Sequence, residues 1–341
     1  MEEIKVNRLP LLTYRYLHTN DTSLSFEEPK NQGEVTFSDD TYITEGGTLP
    51  ASFDGASKET VAASSQGKSY TISVPDHKEA KLSITLTATP DFAGQFLVHV
   101  GKGSTLSLVW HIKGDTVEGT CVKAVYYELA ENATLTVSTV ENGHAKTMVY
   151  DQRHTLFADG AKAHFASAEL SGEKIIVHSY GKLLGDKSEM TEKAVYAARE
   201  KQQLDLFYHI DHVGKKTKAE IDVKGALADE SKKIFRGTLD FKRGCSGSVG
   251  DEGDYAIQLD PATKNISLPL LLCTEDNIQG NHASSAGQLD ANTIYFLMSR
   301  GFSLEEARRI VVEALIRPII DEMDESVRDE VLEAVRNKLD K

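Results

Sequence analysis

Lys102-Gly-Ser-Thr-Leu-Ser-Leu108, Glu131-Asn-Ala-Thr-Leu-Thr-Val137 and Asp159-Gly-Ala-Lys-Ala-His-Phe165 decide the fold of this chain. Each stretch has a turn residue, then a small residue, then alternation of apolar and polar positions. The turn residues Gly103, Asn132 and Gly160 stand 29 and 28 residues apart. A fixed spacing of this size suits stacked coils, each burying its face against its neighbours. A β-helix or other β-solenoid fits it better than an antiparallel sandwich or barrel. Those folds also join short strands by regular turns, so on the pattern alone both remain open. The comparable segment near Leu204 breaks the period.

Working outward, the same texture runs from about Ser69 to Leu272. Tyr70–Val74, Leu82–Leu86, Phe96–Val100, Leu106–Leu108, Leu135–Val137, Ile175–Val177, Leu204–Leu206 and Ala219–Val223 all alternate with period 2. That period sends one side chain inward and the next outward. Residues 31–70 are rich in Gly, Ser, Thr and Asp and read as loops or weakly ordered connection. The aromatic and apolar run Leu9–Leu17, with Tyr14 and Tyr16, is expected to pack on the main body.

After Asp290 the chain reads as helix. Asp290 is suited to cap a helix running to Arg300, with Gly301 just beyond its end. Ser303-Leu-Glu-Glu306 is a capping box opening a helix with an apolar stripe at Ala307, Ile310, Val311, Ala314, Leu315 and Ile319. Pro318 should kink or end it. Ser326 is expected to cap a last helix with Val327, Val331, Leu332, Val335 and Leu339 on one face. The predicted division is an N-terminal segment with loops, 1–69, a β-helix core, 70–287, and a helical subdomain, 288–341.

The 341 residues can bury a large core. The net charge of −14 argues against nucleic acid and anionic membrane surfaces, which call for clustered Lys and Arg. Cys121, Cys245 and Cys273 are widely spaced and no Cys-x-x-Cys occurs, so zinc-ribbon and thioredoxin chemistry are absent. The start Met-Glu-Glu-Ile-Lys-Val has no apolar signal region, and no run reaches the roughly 18–20 apolar residues of a membrane span. The expectation is a cytoplasmic protein with reduced thiols.

Several suggestive motifs fail on their chemistry. Gly181–Ser188 imitates a Walker A loop, but Asp186 stands where glycine is needed and would repel phosphate. His209 and His212 fall on opposite faces of a strand and cannot share a metal. Asp251-Glu-Gly-Asp254 lacks the ligand ladder of an EF-hand and reads as a solvated turn. No nucleophile elbow or His-Glu-x-x-His is present.

Cys273 and His282 remain, ten residues apart around Glu275-Asp276. Each has a plain structural explanation, as a small buried hydrophobe and a hydrogen-bonded junction residue. Thiolate and imidazole are nevertheless the ligands that iron and iron–sulfur clusters prefer, and Glu275 could add oxygen or orient the imidazole.

The stretch from Ile234-Phe-Arg-Gly237 to Arg317-Pro318 resembles the SufB/SufD family of iron–sulfur cluster assembly scaffolds. The resemblance lies in Glu275-Asp276, His282-Ala-Ser-Ser, Leu289-Asp290, Ile294-Tyr-Phe-Leu, Ser299-Arg-Gly-Phe302 and the Glu305-Glu-Ala-Arg-Arg run. Asn7-Arg-Leu-Pro10 and Tyr14–Leu17 are similar to the family's opening segment. The resemblance implies a right-handed parallel β-helix flanked by helices. It implies pairing with a SufB-like subunit and docking of a SufC-like ABC ATPase through the C-terminal helices. Clusters in this family form transiently at the subunit interface from a SufB cysteine and a SufD histidine, and none is bound tightly by one chain alone. By position His282 matches that histidine. Ala283 replaces the glutamate that follows it in the SufB branch, which points to a SufD-like role. Cys273 has no family counterpart, and many SufD proteins have a longer N-terminal helical domain.

The expectation is therefore a scaffold that does not turn over substrate. His282, Cys273 and Glu275 are the candidate cluster-assembly residues. The helix from Leu304 to Arg317 and the segment before it are expected to dock the ATPase through Tyr295, Arg300, Glu305, Glu306 and Arg309. Two alternatives stand beside it: a homodimeric SufB-like scaffold working without a separate SufB, and a β-solenoid enzyme acting on polysaccharide.

Overall fold

A column of left-handed backbone turns runs the length of the molecule. The computed structural model describes residues 2–13, 15–30, 33–49, 56–114, 118–142 and 146–340. His77, Gly103, Asn132, Gly160, Lys187, Lys216 and Gly247 all have φ between 56° and 79°. Each donates its backbone N–H to the next coil, as from Gly103 to Glu131 O at 3.0 Å, Lys187 to Lys215 O at 2.8 Å and Gly247 to Asn277 O at 2.7 Å. The small residue that follows turns inward and is buried: Ser104, Ala133, Ala161, Ser188, Thr217 and Ser248. The repeat therefore continues past Gly160 through Lys187 and Lys216, which the sequence pattern does not show because lysine is not a turn signal.

The chain is a β-solenoid, mainly β, with C-terminal helices. Among the described residues two nine-stranded sheets run its length, strands alternating between them along the chain. From Lys68–Val74 to Ile278–Gly287 the ladders are parallel and in register. Stacking in register places like positions of successive coils above one another, so the inward apolar positions merge into one core. Phe96, Trp110, Tyr127, Phe165, Tyr196, Phe235 and Phe241 lie in it.

The two sheets carry different outer layers. The helix-side sheet ends on Ile278–Gly287. Its outer face, including Val109, Val140, Ala168 and Val195, packs against helices α3 and α4. Among the described residues the helices are α1 (Lys58–Ser65), α2 (Ala291–Ser299), α3 (Leu304–Ile320) and α4 (Glu325–Leu339). The hairpin-side sheet ends on Lys264–Cys273. It is covered by the antiparallel pair Glu2–Val6 and Thr22–Phe26, whose Ile4, Val6, Leu24 and Phe26 meet Val122, Tyr150 and Ile176.

Several local expectations are revised. Residues 31–70 are not merely loop, although 31–32 and 50–55 lie outside the described residues. Glu34–Phe37 and Ile43–Glu45 pair antiparallel onto the first coil, and α1 packs Val61 against Ala124 and Tyr126. Of the Leu9–Leu17 run only Leu9 is buried among the described residues. Leu11, Leu12, Tyr16 and Leu17 are exposed, and Tyr14 lies outside the description. The buried stripe of α3 is Ala307, Val312, Ile316, Ile319 and Ile320, rotated from the predicted one, and Ala314 faces out. Pro318 sits in the last turn, where the helix is about to end anyway. Asp324, not Ser326, caps α4, because its carboxylate receives both the N–H and the hydroxyl of Ser326.

Candidate functional site

The two ends of the solenoid differ. At the first coil the antiparallel strands Glu34–Phe37 and Ile43–Glu45 close both sheets. At the other end Lys264–Cys273 and Ile278–Gly287 are the outermost strands, and no described strand pairs beyond them. Two ten-residue edges thus present unpaired backbone donors and acceptors.

His282 and Cys273 sit on this end, in different sheets. His282 is the register partner of Glu252, and Cys273 that of Phe241. Glu252 and Phe241 are buried inward positions, so the same pleat aims His282 and Cys273 along the solenoid interior. With no coil above them both are exposed. The Cys273 thiol donates to the Glu275 carbonyl at 2.9 Å. Glu275 lies in the same turn, where its carboxylate accepts the Gly244 N–H at 2.8 Å and the Asp276 N–H at 3.1 Å. Those backbone bonds, the Gly244 one foremost, lower its pKa.

Midway along the solenoid the interior is charged, which the sequence reading missed. Lys123 and Asp151 are fully buried at 3.1 Å, beside Arg153, Glu141, Glu169 and Glu192. Lys123 lies over the Trp110 ring, whose N–H donates to the Tyr127 hydroxyl. Burial and the neighbouring Glu169 carboxyl hold Glu141 well above the usual carboxylate range. Closer to the open end Lys233 pairs with Asp254, and burial with the Asp254 charge raises Glu252 to a pKa of about 8. The predicted solvated turn at 251–254 is corrected: it lies inside the strand Ser248–Gln258 with Glu252 and Asp254 buried. The available signal was parity, since polar residues fall on inward phases of strands such as Glu118–Leu129.

The C-terminal candidates divide. α2 buries none of its residues, and Tyr295, Phe296, Met298, Phe302 and Leu304 are all exposed. Arg300 lies over the Phe296 ring at 5.1 Å. Glu305 is exposed, while Glu306 closes the capping box by accepting the Ser303 N–H at 2.7 Å. Arg309 holds Asp340 at 2.7 Å. Glu306 and Arg309 have local structural partners, and the exposed aromatic neighbours Phe296 and Phe302 join Tyr295, Arg300, Glu305, Glu306 and Arg309 as candidates.

The rejected motifs behave as their chemistry requires. Gly181–Ser188 spans a strand end and turn that lead into another strand, with no helix to cradle phosphate. His212 points inward to stack on Phe241 and bond the Thr217 hydroxyl at 2.7 Å, and burial lowers its pKa to about 4. His209 points to the opposite face. There, with Asp211 and Asp240, it makes the one group among the described residues whose side-chain atoms are spaced to hold a metal ion.

The fold is a β-solenoid closed at one end, open at the other and layered with helices on one face. Residues 85–315 match the family SUF system FeS cluster assembly, SufBD core domain. The chain belongs to the SufB/SufD family and is most like SufD. The iron–sulfur cluster assembly protein SufD of Bacillus subtilis is 26% identical over 211 residues, 61% of this chain and 48% of the relative. A SufBD family protein of Mycobacterium leprae is 24% identical over 230 residues, 65% of this chain and 59% of the relative. One of Staphylococcus epidermidis is 21% identical over 255 residues, 72% and 55% respectively. The chain thus spans about half the length of these relatives.

Proposed function

We propose that this chain is a scaffold subunit for iron–sulfur cluster assembly, which pairs with a SufB-like subunit and docks a SufC-like ABC ATPase. The observation that carries the reading is the open end: two unpaired sheet edges with His282 and Cys273 on the inward columns between them. A second solenoid can continue both sheets there by edge pairing, which supplies main-chain hydrogen bonds at once. The nascent cluster is cargo held at that junction. A neutral imidazole offers iron a lone pair without first losing a proton, so His282 completes a site whose thiolates come from the partner. Cys273 stands near enough along the chain to serve as a second ligand. In this reading the chain does not turn over substrate, and it works in the cytoplasm with its thiols reduced. No helix is long and apolar enough to cross a membrane among the described residues.

The large apolar side chains exposed on α2 and at the start of α3 support ATPase docking, because large side chains left uncovered mark a surface made for a partner. The test is His282→Ala in the complex reconstituted with SufB-like and SufC-like subunits. Assembly should stay intact while iron and sulfide recovered with the complex fall. Unchanged cluster content in a normal complex would make His282 structural. Light scattering of the chain alone distinguishes a homodimer closed through the same edges from a chain that waits for its partner.

A further inference from the structure

We propose that His209, Asp211 and Asp240 form a binding site for a divalent transition-metal cation on the outer face of the hairpin-side sheet, on the two strands next to the open edge. His209 and Asp211 are two residues apart on the strand Gln203–His212 and so share a face. Asp240, on Lys232–Phe241, is the register partner of Asp211. The parallel ladder therefore brings one imidazole and two carboxylates together, with their ligating atoms all within 4.8 Å of one another. All three residues are buried. One nitrogen and two carboxylate donors suit the borderline cations from Mn2+ to Zn2+ better than Ca2+ or Mg2+, which prefer all-oxygen sets.

The site is prearranged. His209 Nε2 lies 2.9 Å from Asp211 Oδ1, and the Tyr180 hydroxyl donates to Asp211 Oδ2 at 2.7 Å. The imidazole stacks on Tyr180, which stacks on His154, and that ladder fixes the ring plane. The Tyr180 hydroxyl and the stacked rings are outer contacts of the kind that orient metal ligands and sharpen their affinity, while a bound metal would replace the direct His209–Asp211 bond.

A cation already marks the position. The Lys242 ammonium spans the two carboxylates, 3.3 Å from Asp211 and 2.5 Å from Asp240. Its side chain is 42% exposed, so it can swing to solvent and yield its place to a metal. His209 and Asp240 open onto a cavity of about 630 Å³, whose lining also holds Glu3, Glu59 and the cations Lys5, Arg8 and Lys58. Three protein ligands below an open cavity leave coordination positions for water or a small anionic ligand.

The inference stands without the scaffold reading. It is tested by titrating the full chain with Co2+ and following its visible absorption, with Zn2+ competition for affinity. One equivalent should bind, in the parent chain and equally in a His282→Ala, Cys273→Ala variant. Asp240→Asn and His209→Ala should abolish the spectrum. Lys242→Ala should tighten binding by about tenfold or more, since it removes a like charge from the site. That gain cannot come from misfolding. Loss of binding in the His282→Ala, Cys273→Ala variant, or unchanged affinity in both Lys242→Ala and Asp240→Asn, would overturn the proposal.

Discussion

Glu252 stands directly beneath His282, its register partner on the neighbouring strand of the helix-side sheet. The exposed imidazole at the open end thus rests on a buried carboxyl. Across the interior Gly237 makes the room: a Cβ there would fall on the Glu252 carboxyl. Neither Glu252 oxygen has a hydrogen-bond partner, and burial with the Asp254 charge raises its pKa to about 8. Near neutral pH the group is largely uncharged, as an isolated buried carboxyl should be.

Stability should therefore fall with rising pH on account of Glu252. Between 4.5 and about 8 the folded chain holds a proton on this residue that the unfolded chain has released. A raised carboxyl pKa weakens the fold as pH climbs through that window, by at most about 1.4 kcal/mol per pH unit. Glu252→Gln keeps the shape and removes the titration. Urea midpoints for parent and variant should converge at the acid end and separate in favour of the variant toward pH 8. Parallel curves would mean that Glu252 is ionised throughout.

Lys187→Gly should stabilise the solenoid. Lys187 has φ +60°, which costs a side-chain-bearing residue about 1–2 kcal/mol, against about 0.5–1 kcal/mol for the added freedom of glycine when unfolded. The expected net gain is about 0.5 kcal/mol, read as a raised urea midpoint, and a lowered midpoint would contradict it. This position also shows what the sequence could and could not disclose. Gly103, Asn132 and Gly160 announce their turns because their residue types favour φ above zero. Lys187 and Lys216 make the same turn without that signature, so the repeat is legible over three coils and hidden in the next two. The candidate site divides the same way. His282 is legible through the residues around it, and the edge it occupies follows from the pattern ending there. The charges at Lys123, Asp151 and Glu192 look like ordinary outward positions until register fixes which face is inward. The His209, Asp211 and Asp240 group needs a pairing across 29 residues that no local pattern displays.

Arg236→Met should release the N-terminal hairpin. Arg236 is fully buried and donates to Thr19 O at 2.9 Å, Thr22 Oγ1 at 2.9 Å and Asp205 Oδ1 at 2.5 Å. Asn7 donates to the same Asp205 oxygen at 2.8 Å, so one ion pair fastens both sides of the hairpin to the sheet. Removing the guanidinium leaves Asp205 buried without its counter-charge, a loss of about 3–5 kcal/mol. Hydrogen exchange should quicken across 2–6 and 22–26 more than in α3 and α4, and Asp205→Asn added to the variant should recover part of the stability. Unchanged protection of the hairpin would show that its apolar contacts alone hold it.

The docking proposed for α2 can be tested separately from folding. Tyr295 is 76% exposed and Phe296 54%, and neither supports the layer of α3 and α4 against the sheet. Replacing both with serine should change stability by less than about 0.5 kcal/mol, the usual range for surface sites. The same change removes the apolar contact area offered to a partner, so recovery of the SufC-like ATPase with the complex should drop sharply. Arg309→Glu makes the contrast. It breaks the bond to Asp340 at 2.7 Å, an exposed ion pair worth about 0.2–1 kcal/mol, and turns it into a repulsion. That variant should lower the melting temperature slightly while ATPase recovery falls less than in the serine variant. Normal ATPase recovery with Tyr295 and Phe296 both replaced would move the docking surface elsewhere and leave the exposed aromatics unexplained.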